Sequence, residues 1–352
     1  MKSVAVTNQD RNAKFSEKKQ PILQVDGLSV RFYTRRGIIQ ALRDVSFSMQ
    51  KEQVIGIVGE SGSGKSVLAL SILNLIDKPG EIMSGNILFN GQDLLQLNEK
   101  AMNAIRGSRI SMIFSDPMSA FDPTLPVGDQ LMETIVRHHK EINRKDAREM
   151  AIDLFRKVRI PSPRRRLDEY PAMFSGGMIQ RAMIADAISS NPELIVADNP
   201  TQALDVTIQQ QILELLAELK RRQGTTLILI TNSLPILARY ADEIIVLYAG
   251  GIVEHGTKEA VFARPSHPYT RGLINSTPRI RGRRLKRLKT IQGFTPSRVE
   301  TDITSAKCVF LDRCDLAMET CRRRLPGAVW LGDTAIHYSK CFLASELNQT
   351  SI

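Results

Sequence analysis

The 352-residue sequence predicts an α/β fold with a mostly parallel sheet, to which a small antiparallel region, an inserted helical subdomain and a C-terminal appendage are added. Short apolar runs alternate with stretches of helical periodicity, which is the pattern of a parallel sheet with crossover helices. One apolar run leads directly into a glycine-rich segment and a helix. Pro and Arg become frequent after Ala263, and the composition shifts again near residue 280.

The predicted antiparallel region comes first. Leu23–Phe32 and Val45–Met49 have the composition of strands, and the turn-prone Thr34–Gly37 lies between them. Before them, residues 1–20 are polar and mixed in charge, and no apolar segment follows their lysines. We therefore expect a flexible tail rather than a secretory signal there.

The parallel sheet and the helical subdomain are predicted from periodicity. Residues from about 128 to 170 alternate apolar and charged positions at helical spacing, which predicts a helical subdomain over about 110–190. Later strands are predicted at Leu194–Ala197, Leu227–Thr231 and Ile244–Tyr248, with a helix over Gln209–Arg222. We assign a nucleotide-binding domain to 21–263 and a C-terminal extension to 264–352.

Composition and charge exclude several classes of protein. No apolar run approaches the roughly 18 residues that a membrane-spanning helix needs, so we expect a cytoplasmic chain. The net charge of +11 suits an anionic partner, but the aromatic content of 5% and the absence of a reader motif argue against nucleic acid. The basic stretches Arg164–Arg166 and Arg279–Lys289 are interpreted as a solvated linker or as a membrane-surface contact.

The glycine-rich segment Gly59–Ser66 reads GESGSGKS and matches the phosphate-loop pattern G-x-x-x-x-G-K-[ST] in full. It follows the apolar strand Val54–Val58 and precedes the helical pattern Val67–Leu75, as the mechanism requires. The predicted phosphate-binding residues are Gly59, Ser61, Gly62, Gly64, Lys65 and Ser66. Lys65 would reach the β- and γ-phosphates of ATP, and Ser66 and Asp198 would ligate Mg²⁺.

Between these elements, Phe174–Arg181 reads FSGGMIQR and resembles the signature sequence of ABC-transporter ATPases. Ala203–Asp205 resembles the D-loop of that family, and the motifs occur in the family's order. The resemblance implies a P-loop NTPase (RecA-like) core with an antiparallel β subdomain and an α-helical ABC subdomain. It also implies head-to-tail dimers, in which Ser175, Gly176 and Gly177 bind the ATP of the partner site and Asp205 lies in the D-loop.

Further segments resemble the ATPase subunits of peptide/nickel importers, which include the oligopeptide and dipeptide permeases. They are Phe114–Pro123, Tyr170-Pro171, Ala203–Gln209 and His267–Thr270. This resemblance implies a subunit at the cytoplasmic face of the cell inner membrane. Its partners would be a second ABC ATPase subunit, two transmembrane permease subunits and an extracytoplasmic solute-binding protein.

All four cysteines, Cys308, Cys314, Cys321 and Cys341, fall in the last 45 residues. Clustered thiols in a cytosolic chain suggest metal binding, and unligated structural cysteines are the alternative. The same importer family carries cysteines here, and the resemblance implies a [4Fe–4S] cluster; zinc remains open. The neighbouring residues Arg313, Pro326 and His337 fit the family's pattern, whereas Lys307 replaces a usual glycine.

Three positions depart from the family. Asn199 stands where a glutamate polarises the attacking water, Ser115 replaces the Q-loop glutamine, and Asn232 replaces the switch histidine. An amide cannot accept a proton at neutral pH. We therefore expect MgATP binding at a poorly hydrolysing site, while the signature completes the partner's working site. A non-hydrolysing regulatory subunit is the alternative.

Phe32 has two interpretations. It stands where the family has an aromatic residue that stacks on adenine, but it is equally well interpreted as a core phenylalanine. At the level of the whole chain, a soluble ABC ATPase acting on ribosomes or in DNA repair is disfavoured by the single phosphate loop. An engineered inactive variant is disfavoured because three positions differ.

Overall fold

The computed structural model describes residues 20–202, 204–278, 290–293, 299–300, 307–332 and 336–350. The predicted tail at 1–20 and the basic stretch Arg279–Lys289 therefore lie outside the described residues, apart from Gln20. The strands of the described part are β1 (Leu23–Thr34), β2 (Gly37–Met49), β3 (Val54–Val58), β4 (Gly80–Phe89), β5 (Gln92–Asp93), β6 (Ile110–Ile113), β7 (Leu194–Asp198), β8 (Thr226–Ile230), β9 (Glu243–Tyr248), β10 (Gly251–Thr257), β11 (Val299–Glu300), β12 (Val329–Trp330) and β13 (Tyr338–Ser339).

The helices of the described part are α1 (Lys65–Ile72), α2 (Glu99–Asn103), α3 (Pro117–Ala120), α4 (Val127–His138), α5 (Arg144–Lys157), α6 (Pro163–Arg166), α7 (Gly176–Ala187), α8 (Val206–Gln223), α9 (Leu234–Tyr240), α10 (Lys258–Ala263), α11 (Pro268–Asn275), α12 (Glu319–Arg323) and α13 (Ala344–Asn348). Helix α1 begins at Lys65, two residues before the predicted start, so the helix opens inside the phosphate loop.

The central sheet has the strand order β12-β13-β10-β9-β3-β8-β7-β6. Strands β9, β3, β8, β7 and β6 are mutually parallel, whereas β10, β13 and β12 continue the sheet in antiparallel pairing. All five parallel strands therefore end at the same edge, which is where ligands bind in open α/β sheets. The predicted fold class, an α/β core with a mostly parallel sheet, is confirmed.

The second sheet is antiparallel, in the order β11-β2-β1-β4-β5. Strand β2 begins at Gly37, eight residues before the predicted Val45, because it pairs with β1 along its whole length. The first half of β2 contains polar residues such as Gln40, so a search for apolar runs did not predict it as a strand. Ala41 and Leu42 of this strand lie against the phosphate loop.

Helices α4 to α7 form the helical region, with contacts between α4 and α5, α5 and α7, and α5 and α6. Ile110–Ile113, which the prediction placed inside the helical subdomain, is a strand of the parallel sheet and pairs with β7. Four residues are too few for periodicity to distinguish a buried strand from a helical turn. The helical part of this segment therefore begins after residue 113.

Each parallel strand has apolar side chains on both faces. In β3, Val54 and Val58 pack into the core that includes the helical region, whereas Ile55 and Ile57 pack into the core beneath the antiparallel sheet. Burial on both faces explains the unbroken apolar run, since only a strand covered on each side lacks polar alternation.

The C-terminal region packs on the central sheet and extends it by two short strands, β13 and β12. Strand β13 pairs with β10, and His337 Nε2 lies 3.1 Å from the Glu254 carboxylate. The backbone N–H groups of Ser266 and His267 also donate to Glu254, at 2.7 and 3.0 Å. These contacts satisfy a carboxylate that is fully buried, and an isolated buried charge would be strongly destabilising.

Arg164, Arg165 and Arg166 are engaged in ion pairs. Arg164 pairs with Glu149, while Arg165 and Arg166 both pair with Glu169. This arrangement fits the solvated interpretation of the stretch. In the part of the chain that the structure covers, none of the helices combines the length and apolarity needed to cross a bilayer.

Asp186 on α7 carries a buried carboxylate oxygen. Its Oδ1 has no hydrogen-bond partner among the described atoms, and burial raises the pKa of Asp186 to about 6, against a smaller lowering by the Thr134 hydroxyl. The folded state thus holds the Asp186 proton more tightly than the unfolded chain does. Stability from this group is complete below about pH 4 and is lost as the pH rises through 6.

We expect Asp186→Asn to raise the free energy of unfolding at neutral pH by about 1–2 kcal/mol, because the amide carries no charge to bury. The difference from the native chain should grow between about pH 4 and 6 and then stay constant. Urea unfolding at several pH values measures it. Asp153→Asn, on the exposed side of α5, is the control and should change stability by less than about 0.5 kcal/mol. A variant no more stable than the native chain at pH 8 contradicts the prediction.

Candidate ATP-binding site

The phosphate loop connects β3 to α1 at the carboxyl edge of the parallel sheet. Gly62 and Gly64 have φ values of 84° and 106°, which glycine adopts without the steric cost of a Cβ. A Cβ added to Gly59 would lie 2.2 Å from the Leu247 carbonyl oxygen, so a side chain is excluded there by close packing. The glycines at these positions are required by the backbone path of the loop.

Lys65 is buried and its ammonium group lies over the loop. Its Nζ donates to the carbonyl oxygens of Gly59 and Glu60, at 2.7 and 2.9 Å. An ammonium held among carbonyl groups at a helix N-terminus provides a concentrated positive charge for phosphate oxygens. The loop thus has the donors and the charge of a nucleotide-phosphate site.

Asp198 ends β7 beside the loop and is 2% exposed. Burial raises the pKa of Asp198, and its hydrogen bonds with Ser66 and Asn199 and the charge of Lys65 lower that pKa in part. The Asn199 amide donates to Asp198 Oδ1 at 3.1 Å. Ser66 and Asp198, the two predicted Mg²⁺ ligands, are therefore adjacent, and hydroxyl and carboxylate oxygens suit this hard cation.

The three residues predicted to depart from the family's catalytic set lie along the same edge of the sheet. Ser115 follows β6, Asn199 follows β7 and Asn232 follows β8, each one to two residues after its strand. Strands β3, β8, β7 and β6 are consecutive in the parallel sheet, so their ends form a row along one edge. Asn199 has a φ of 47°, a left-handed conformation that Asn adopts more readily than most residues.

The signature residues lie on the helical region. Ser175 caps α7 by accepting a hydrogen bond from the Met178 N–H at 3.3 Å, and both Ser175 and Gly176 are exposed. A Cβ on Gly177 would lie 3.1 Å from Ile208 Cγ2 of α8. Asp205 caps α8 and accepts from Ile208 N at 3.0 Å. The two capped helix starts meet here, with an exposed N-terminus suited to an anion.

Phe32 is half-buried against the core beneath the antiparallel sheet. A Cβ on Gly80 would lie 2.7 Å from the Phe32 ring, so the two residues are in close contact. This packing supports the interpretation of Phe32 as a core residue. Adenine stacking by Phe32 stays a prediction.

All four cysteines line one cavity, together with apolar side chains and His267. The thiols are free, and burial raises the pKa of Cys308, Cys314 and Cys341, the last to about 12. Among the described residues, no group of three or more His, Cys, Asp or Glu side chains is arranged to hold a metal ion.

The C-terminal region contacts the phosphate loop through residues that sequence reasoning did not connect. Arg313 forms a bidentate pair with the Glu60 carboxylate, and the Glu60 N–H donates to the Tyr269 hydroxyl at 2.8 Å. Glu60 occupies a variable position of the phosphate-loop pattern, so the motif gave no signal for it. Arg313 fitted a family pattern without any indication of its partner.

A glycine-rich loop at the carboxyl edge of a parallel sheet, a buried carboxylate at the end of β7 beside that loop, and an exposed, serine-capped helix start together define an ABC-type ATP-binding cassette. Residues 42–202 match the family described as "ABC transporter", and residues 253–321 match "Oligopeptide/dipeptide transporter, C-terminal region". The chain belongs to the ATP-binding subunits of the oligopeptide/dipeptide ABC transporter family.

Individual relatives agree with this assignment. The chain is 44% identical over 320 residues to the dipeptide transport ATP-binding protein DppD of Escherichia coli, covering 91% of this chain and 96% of that protein. It is 43% identical over 323 residues to the oligopeptide transport ATP-binding protein OppD of Bacillus subtilis, covering 92% and 88%. A solved dimeric ATP-binding cassette bound to ADP and Pi shares the fold, with a TM-score of 0.62 at 24% identity over 67% of this chain and 98% of that one.

Lys65→Ala is expected to weaken MgATP binding on the order of 100-fold, about 2.7 kcal/mol, because the buried ammonium that faces the phosphates is lost. Titration calorimetry of the purified chain measures the Kd. Lys157→Ala, at the exposed end of α5, is the control and should leave the Kd unchanged. Absence of binding by the native chain, or equal Kd values for Lys65→Ala and native, contradicts the assignment.

Proposed function

We propose that this chain is the ATP-binding subunit of a heteromeric peptide importer that binds MgATP at a site with weak or no hydrolysis. It supplies its signature to the working site of a second ATPase subunit. The observation that carries the proposal is the composition of the carboxyl edge: Lys65, Ser66 and Asp198 remain for binding, while Asn199, Ser115 and Asn232 have replaced the groups that act on water.

Hydrolysis requires a group that accepts or orients a proton of the attacking water. The Asn199 amide is a donor to Asp198 in this structure, and an amide has no basic lone pair at neutral pH. Ser115 and Asn232 are both exposed, and neither can act as a base near neutral pH. Magnesium and the phosphate loop would therefore hold ATP without an efficient way to cleave it.

The signature surface supports a second role. The exposed N-terminus of α7, capped by Ser175, and the bare backbone at Gly177 suit a γ-phosphate presented by another subunit. In a head-to-tail pair, one of the two composite sites would combine the signature of this chain with a complete set of catalytic groups from the partner. A homodimer of this chain would have two sites lacking those groups, so we favour a heterodimer.

The relatives named as dipeptide and oligopeptide transport proteins support peptides as the class of solute. Such a subunit would lie on the cytoplasmic side of the membrane, bound to two permease subunits that receive solute from an extracytoplasmic binding protein. A subunit that binds ATP only for regulation would share the same site residues, and the turnover measurements below distinguish the two.

In the assembled transporter, Gly177→Asp should reduce ATP turnover by at least about 100-fold, because it would add a negative charge at the start of α7, where the γ-phosphate of the partner site would bind. Lys65→Ala should reduce turnover only partly, since its own site contributes dimer closure rather than hydrolysis. ATP hydrolysis and peptide uptake by the reconstituted complex measure both effects.

Gly177→Ala is the matched control, because its methyl group meets the same Ile208 side chain without adding charge. It should retain most of the turnover that Gly177→Asp loses. Restoring Glu, Gln and His at positions 199, 115 and 232 should raise turnover without being needed for uptake. If Gly177→Asp keeps near-native turnover while Lys65→Ala eliminates it, this chain's own site drives transport. If Gly177→Asp and Lys65→Ala both leave turnover intact, the subunit is regulatory.

We further propose that the cysteine-lined cavity holds a [4Fe–4S] cluster. Four thiols around one apolar space provide the ligand number of such a cluster, and each would bind a different iron. When bound, the cluster would supply structural cross-linking of the segments that carry Cys308, Cys314, Cys321 and Cys341.

Protein purified without oxygen should contain about four iron and four sulfide per chain and absorb visible light, if the four thiolates bind a cluster. Cys321→Ser, which changes the most buried of the four, should remove most of both. Ser276→Ala, outside the cavity, should change neither. Stoichiometric zinc, or no metal at all, contradicts the cluster.

A further inference from the structure

Arg313 lies in the C-terminal region, yet its guanidinium group contacts the phosphate loop. Its Nη1 is 2.7 Å from Glu60 Oε2 and its Nη2 is 3.0 Å from Glu60 Oε1. The Arg313 side chain is 6% exposed, and its Nε donates to the Gln292 carbonyl at 2.9 Å. Such a two-point contact fixes the orientation of the carboxylate as well as its distance.

The backbone of Glu60 is held as well. Its N–H donates to the Tyr269 hydroxyl at 2.8 Å, and its carbonyl accepts from Lys65 Nζ at 2.9 Å and from the Ser63 N–H at 3.1 Å. The C-terminal region thus contacts Glu60 at two points, its carboxylate and its backbone amide. The phosphate-binding lysine contacts the same residue at a third.

We infer that Arg313 and Tyr269 are positioning residues for nucleotide binding: they hold the first turn of the phosphate loop in the conformation that accepts MgATP, and they couple it to the cysteine-lined cavity. An ordered loop binds more tightly, because the measured Kd is the intrinsic Kd divided by the fraction of chains in the competent conformation. The inference concerns binding alone and does not depend on whether this site hydrolyses ATP.

A continuous set of contacts connects the two sites. Phe310 lines the cysteine cavity, and its ring centroid lies 5.5 Å from that of Tyr269 and 5.2 Å from that of Tyr248. Arg313 directly precedes Cys314 in a tight turn, closed by hydrogen bonds from Arg313 N to Phe310 O and from Cys314 N to Leu311 O. Displacement of this turn would move the Arg313 guanidinium away from Glu60.

Coupling of this kind is reciprocal. If order around the cavity favours nucleotide binding, then nucleotide binding must favour order around the cavity by the same factor. MgATP should therefore protect the four thiols from an alkylating reagent in the metal-free protein, and the loss of Arg313 should remove that protection. A merely structural ion pair would stabilise the fold and leave both quantities unchanged.

The test compares MgATP affinity, by titration calorimetry, for Arg313→Ala and Tyr269→Phe with that of the native chain. Each is expected to raise the Kd by about tenfold, as when the competent fraction falls to roughly a tenth. Tyr269→Phe keeps the aromatic packing and removes only the hydroxyl. Arg164→Ala is the matched control: Arg164 also forms a bidentate pair, with Glu149 at 3.0 and 2.8 Å, but on the exposed surface.

Two further variants separate positioning from folding. Arg313→Lys should recover part of the affinity that Arg313→Ala loses. The double variant Glu60→Gln with Arg313→Ala should raise the Kd no more than the more damaging of the two single variants, because the two side chains act as a unit. Thermal melting identifies variants that fail to fold, and Tyr269→Phe then carries the test. Kd values within twofold of native for both Arg313→Ala and Tyr269→Phe, or equal thiol protection in native and Arg313→Ala, would overturn the inference.

Discussion

Parallel alignment of β6, β7, β8 and β3 is the constraint on which the site depends. These strands end at one edge of the sheet, so the loops that follow them must lie side by side. The phosphate loop, Asn232, Asn199 and Ser115 are far apart in the sequence, and the strand order places them in a row along this edge. The side chains at positions 115, 199 and 232 can therefore differ without disturbing the strands that assemble this edge.

Four of the five parallel strands, β3, β7, β8 and β9, were predictable because each is buried on both faces. Strand β3 matches its predicted range, and β8 differs by one residue at each end. Strand β2 was predicted only in its apolar second half, since its first half has polar side chains and is defined by pairing with β1. Strand β6 was missed because four residues, one of them the polar Ser111, carry too little periodicity. Whether such a segment forms a strand depends on the strand it pairs with rather than on its own composition.

Much of the candidate site was predictable from motifs, because the residues of each motif are those that a local backbone conformation requires. The glycines of the phosphate loop and the serine cap of α7 are examples. Contacts between distant segments have no comparable signal in the sequence. Arg313 and Glu60 are 253 residues apart, and charged residues at two surface-like positions give no periodic signal that they pair. The convergence of four cysteines could be expected from their clustering, but the aromatic contacts that join their cavity to the loop could not.

The contact between Glu254 and His337 has a consequence for biosynthesis. The two residues are 83 positions apart, so at roughly 5–20 residues per second a ribosome needs about 4 to 17 s to add the second after the first. During that interval β10 exposes an edge that β13 later covers, and unpaired edges attract other chains. The nascent chain thus passes through a stage at which molecular chaperones have a defined surface to protect.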